Sequence, residues 1–180
     1  MKRAIPAWAF LALLTATLQQ ACRRTSEPEF IAATEDMAKH TDSLRMSLDN
    51  MDTAAITHMY ALFTSERPAI EQRFKDTLSP QEAEILGNYH RAMAVTLPRV
   101  MGDRQRLYAR LDSTRQRLGN LRHDLDQGLL DKKQQRQAIE TEQAWDSTLT
   151  NDVERLRADI GQLEKDRLKY RSAIDPLLHP

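Results

Sequence analysis

One thiol, five histidines and seven methionines are the side chains of this chain that could ligate a soft metal. Cys22 is the only cysteine, so no internal disulfide can form, and its sulfur is either free or modified. His40, His58, His90, His123 and His179 are scattered. None stands in His-x-x-x-His spacing, and no Glu-x-x-His pair recurs as a di-metal site in a helical bundle would require. Glu84 and His90 could meet only through a tertiary contact. Met37, Met51 and Met59 fall at helical spacing, where methionine serves as core filler far more often than as a ligand. There is no Gly-x-Ser-x-Gly elbow, no glycine loop to cradle phosphate, and no cysteine–histidine pair. The basic run RLYARLDSTRQRL at 106–118 contains Asp112, and the whole chain balances 26 Lys+Arg against 26 Asp+Glu. That pattern suits the solvated face of a helix and argues against a nucleic-acid partner. No catalytic residue, metal ligand or cofactor is expected.

The neighbours of Cys22 suggest what its sulfur does. Lys2 and Arg3 precede an apolar core at 7–14, and the apolar stretch ends by Leu18. It is too short to span the ~30 Å of hydrocarbon that takes ~20 apolar residues, so residues 1–21 read as an export signal. The stretch LTATLQQAC resembles a bacterial lipoprotein signal, in which a small residue precedes a cysteine that is diacylated and becomes the new N-terminus. Ala21 and Cys22 match that pattern, while the usual leucine is displaced one place to Leu18. The resemblance implies lipidation at Cys22, with enough acyl chains for stable anchoring. It makes residues 22–28 a lipidated cysteine and short tether. Arg23 stands where an aspartate would favour retention at the inner membrane, which implies the outer membrane, facing the periplasm. Loss of Lys2 and Arg3 leaves the mature chain at about −2.

The body that would present any site reads as helix, since glycines and aromatics are few and strand-type clusters are absent. Residues 29–78 are predicted to form short N-terminal helices. Ala33, Met37, Thr41, Leu44, Leu48 and Met51 recur at three-four spacing from Phe30. Asp52 can cap a second piece carrying Ile56, Met59, Tyr60 and Phe63. A third piece begins around Pro68, with Ile70, Phe74 and Leu78 in step. Residues 79–180 are predicted to form a long antiparallel helical hairpin, coiled-coil-like, packed with the shorter helices. Ser79, Pro80 and Glu82 spell a capping box, and a leucine-rich stripe then runs to Leu125. Pro98 should kink this arm without dividing it. Gly128 suits a left-handed helix end, with Leu129 closing a hydrophobic contact behind it, and Asp131 can cap the return helix. The turn therefore falls near 128–131. The return stripe includes Ile139, Leu149, Val153, Leu156 and Ile160, has defects at Glu142, Asp146 and Arg167, and should end at Pro176. Each arm holds roughly 45 residues, about 65–70 Å at 1.5 Å per residue.

The stretch LRHDLDQGLLDKKQQRQAIETEQAWDSTL resembles uncharacterised all-helical envelope lipoproteins of Bacteroidetes, which share a leucine-acidic helix end, a glycine turn and a second helix. The resemblance implies an envelope lipoprotein and brings no catalytic residues. A nonenzymatic, lipid-anchored scaffold or protein-interaction module is the expected function, with a membrane and a further protein as partners. A periplasmic chaperone would need a basic clamp, and a hairpin adaptor of an export system would need flanking β-rich domains. Leu129 and Leu130 are candidate partner contacts at the turn. Leu129 is expected to serve the glycine cap, and Leu130, without that duty, to be the exposed anchor.

Overall fold

A computed structural model of the chain describes residues 26–178. The expected signal and Cys22 fall outside them. The elements are α1 (Pro28–Asp49), α2 (Thr53–Arg73), α3 (Pro80–Arg91), a π-helical segment (Ala92–Thr96), α4 (Leu97–Asp126) and α5 (Lys132–Leu178). The fold is all-α, with no strand among the described residues.

Helix starts follow local chemistry. Asp52 accepts from the Ala55 N–H at 2.8 Å and caps α2. Ser79 and Glu82 form the reciprocal box at α3: Glu82 Oε2 accepts from the Ser79 N–H at 2.8 Å, and Ser79 Oγ accepts from the Glu82 N–H at 3.3 Å. Hydrogen bonding of the Glu82 carboxyl to the Ser79 side chain and backbone N–H, with Arg73 nearby, holds it below its ordinary range.

Pro68 and Pro176 act differently from the sequence-based expectation, whereas Pro98 leaves its arm undivided. No break precedes Pro68, and α2 runs through it. Ile56, Met59, Phe63, Glu66 and Ile70 keep one buried phase across the proline. An interior proline costs about 3 kcal/mol, whereas each buried large apolar side chain contributes about 1.5–3 kcal/mol. The stripe therefore wins. Tyr60 lies off that face and is exposed, and Phe74, just past the helix end, is exposed as well. Ahead of Pro98 the helix widens into the π segment, where the Leu97 N–H donates to the Ala92 carbonyl five residues back. Pro98 has no N–H to offer, and the widened turn accommodates the ring without ending the helix. At the other end α5 continues past Pro176 to Leu178, which packs against buried apolar residues.

The chain divides into two compact units, one of residues up to Thr41 with Thr114–Asp146, the other of Asp42–Ser113 with Ser147–Pro180. In the first, Phe30, Met37, Leu118, Leu121, Leu125 and Ile139 form the core. Thr34 and Thr41 are buried there too, each hydroxyl donating to a carbonyl four residues back, at 2.8 and 2.9 Å. Arg117 reaches Glu142 through Nε at 2.9 Å and Nη2 at 3.2 Å, tying α4 to α5 in this unit. The second unit has the larger core, with Leu48, Ile70, Leu86, Leu97, Leu149 and Leu163 among its members. There α4 and α5 are tied by Arg110–Asp152 and by Arg99–Asp159 at 2.9 Å.

Candidate functional site

Ser26 and Glu27 are the described residues closest in sequence to Cys22, and both are bonded to the helix ends that flank the connection between α4 and α5. That connection is built by Gly128, whose φ of 63° is strained for any residue with a side chain. The Gly128 N–H donates to the Leu125 carbonyl at 3.0 Å and the Leu129 N–H to the Asp124 carbonyl at 2.9 Å. This pair of bonds is the Schellman motif, and it closes α4. Asp131 then opens α5 by a reciprocal cap: Asp131 Oδ1 accepts from the Gln134 N–H, and Gln134 Oε1 accepts from the Asp131 N–H, both at 2.9 Å. The buried Gln135 joins the two ends of the turn, donating to the Leu130 carbonyl at 2.9 Å. It also accepts from the Glu27 N–H at 3.4 Å.

The structure exchanges the expected duties of the two turn leucines. Leu130 packs against the core of the first unit, while Leu129 is 60% exposed. The residue five places before Leu129 is Asp124, which offers no apolar partner for the contact that usually accompanies this motif. Leu130 meets the leucines and isoleucine of the core instead.

Two of the three seam defects, Glu142 and Asp146, have partners. Glu142 is taken by Arg117, whose guanidinium also lies 5.6 Å from the Trp145 ring centroid. Both carboxylate oxygens of Asp146 contact His40 Nδ1, at 2.9 and 2.8 Å. Arg167 is partly buried, and its Nε has no hydrogen-bond partner among the described residues. The remaining histidines do not converge. His58 and His123 are exposed, and His179 lies outside the described residues. His90 sits edge-on to Phe63 and Phe74, with ring centroids 6.0 and 5.6 Å away, while Glu84 is exposed. Met37, Met51 and Met59 are core residues. Among the described residues no group of three or more His, Cys, Asp or Glu is placed to hold a metal ion.

In the second unit a buried polar cluster had no clear sequence signal. Glu66 of α2 accepts from the Tyr89 hydroxyl of α3 at 2.8 Å and from Arg171 of α5. Burial first, and then the bond to Glu66, push the Tyr89 phenol up to about 12. With Tyr89 only 1% exposed, the cluster fastens three helices and offers nothing to a substrate. The one hint was phase, since Glu66 falls on the buried face between Phe63 and Ile70. The arginine-rich stretch of α4 is paired as well: Arg106 with Asp103, Arg110 with Asp152, and Arg104 stacked 4.8 Å from the Tyr108 ring centroid. A shallow groove beside it alternates Asp103, Arg106, Arg110, Asp152, Arg155 and Asp159. Its charges answer one another.

No protein-family model, no curated protein and no solved structure matches the chain.

Proposed function

We propose that this protein is a nonenzymatic, lipid-anchored component of a bacterial envelope whose helical body serves as a scaffold or protein-interaction module in the periplasm. The observation that carries the proposal is the lone Cys22 after Ala21, at the end of an apolar segment with a basic start. One further fact supports it: Ser26, the first described residue, is already hydrogen-bonded to the helical body, which would put that body close behind the anchor.

Labelled palmitate should enter the wild-type protein and not Cys22→Ser, and only the wild type should fractionate with membranes. Equal labelling of the two would end the lipoprotein proposal. The scaffold half needs a separate measurement. Val95 and Met101 are exposed apolar residues of the second unit, suited to a photocrosslinker in intact cells. Each should capture one reproducible envelope protein, and a blank result from both would count against an interaction module.

A further inference from the structure

The first described residues do not hang free as a spacer. The Ser26 hydroxyl donates to the Leu125 carbonyl, the same oxygen that receives the Gly128 N–H. The Glu27 N–H donates to Gln135 Oε1, and the Glu27 carboxylate lies 3.0 Å from Lys132 Nζ. That ammonium, bonded to the carboxylate, is the leading reason the Glu27 carboxyl sits below its ordinary range. Pro28 already belongs to α1. The N-terminal strand of chain is therefore tied to the α4–α5 connection.

Covalent geometry does the rest. Ser26 is four residues beyond Cys22, and four extended residues reach at most about 14 Å. A lipid on Cys22 would keep Ser26 within that reach of its own attachment point, and the connection lies about one helical turn beyond the Leu125 carbonyl that Ser26 holds. What the connection displays fits a bilayer surface. Leu129 is exposed on backbone pinned by its own N–H bond to Asp124. Lys132 and Lys133 follow it, both exposed. An exposed apolar side chain with the Lys133 ammonium on a flexible stem nearby in sequence matches the boundary between acyl chains and headgroup phosphates. One leucine would not hold a free protein on a membrane. Beside an anchor, however, its contact is intramolecular, and the effective concentration of lipid is high.

We propose that the α4–α5 connection is a lipid-contacting foot, with Leu129 entering the bilayer that carries the Cys22 anchor and Lys133 facing its headgroup phosphates, while Lys132 holds Glu27. This rests on the lipid-anchor reading above. It makes the turn the membrane-proximal end of the first unit, and it assigns Leu129 to lipid rather than to a protein partner.

Tryptophan quenching tests it. Trp8 and Trp145 are the only two tryptophans of the chain. With Trp8→Phe in every chain, Trp145 is a built-in reference on α5, about 20 Å along the helix from Lys132. Leu129→Trp with Trp145→Phe moves the single indole to the turn. Both chains are purified from membranes, weighed by mass spectrometry, and reconstituted in vesicles with ordinary or acyl-brominated lipids. The introduced indole should lose at least half its emission in brominated vesicles, and Trp145 less than a tenth. An indole at the turn that ignores bromination would overturn the foot. So would its protection by a co-purifying protein, which would assign Leu129 to a protein contact. The mass decides the anchor separately. If it shows a free thiol, the lipid-anchor proposal fails, and the same chain is coupled through Cys22 to maleimide lipids so that quenching still decides the contact. Should Leu129→Trp change the helix spectrum, Lys133→Trp probes the same turn.

Discussion

Glu66 lies between Phe63 and Ile70 on the buried face of α2, where a carboxylate would be costly without partners. It is accommodated because Tyr89 and Arg171 each spend a donor on it. Removing the Tyr89 hydroxyl should cost about 1.5–3 kcal/mol at neutral pH, the usual range for a hydrogen bond to a charged group. A pH dependence follows from the same contact. The Tyr89 phenol is raised from 10.0 to about 12 by burial and by Glu66. An unfolded chain gives up that proton first, so this contribution is complete below about pH 10 and is lost as pH rises toward about 12. The urea-midpoint advantage of wild type over Tyr89→Phe should therefore shrink between about pH 9.5 and 11.5. An advantage that stays constant across that window would mean the phenol is not held in its neutral form by the fold.

Elements are governed by backbone chemistry, and glycine shows it in two opposite ways. Gly128 ends α4 at φ 63°, where an L side chain costs roughly 1–2 kcal/mol. Gly161 sits inside α5 with nothing within 4 Å of an added Cβ. The same substitution should thus have opposite signs. Gly128→Ala is expected to destabilise by that amount, and Gly161→Ala to stabilise by about 1 kcal/mol through helix propensity. Denaturant midpoints of the two variants would decide it, and a shift in the same direction for both would contradict the helix boundaries described above. The π segment ahead of Pro98 belongs to this scale too. The hydrophobic stripe holds Met93, Leu97 and Val100 buried on either side of the interruption, so the helix adjusts its winding and keeps its face.

At the scale of the whole molecule, every regular element among the described residues is helical, and many of the long-range polar contacts there are charge pairs between helices. A chain beginning at Cys22 should give a far-UV spectrum dominated by helix, because no described residue belongs to a strand. Substantial sheet content would refute the architecture. The near-balance of charge is spent internally. Arg106 meets Asp103, Arg110 meets Asp152, and Arg117 meets Glu142, which leaves little of the basic run to form a continuous patch.

Helix identity, the capping box at Ser79 and Glu82, the left-handed stop at Gly128, the Asp131 cap and most of the buried stripe were legible in the sequence alone. Each depends on residues within about four positions of one another, the distance over which a helix meets itself. Tertiary structure decided the rest. His40 finds Asp146 across a separation of 106 residues, and Arg171 finds Glu66 across 105. No local pattern announces such partners, so Glu142 and Asp146 read as flaws in a stripe, and Glu66 and Gln135 passed unnoticed. The same holds for Leu129 and Leu130. One glycine turn permits either leucine to face inward, and the core of Phe30, Leu121, Leu125 and Ile139 selects Leu130. The attachment of Ser26 and Glu27 to that turn likewise depends on donors and acceptors brought together only by folding, because a polar group's partner is set by which surfaces bury each other.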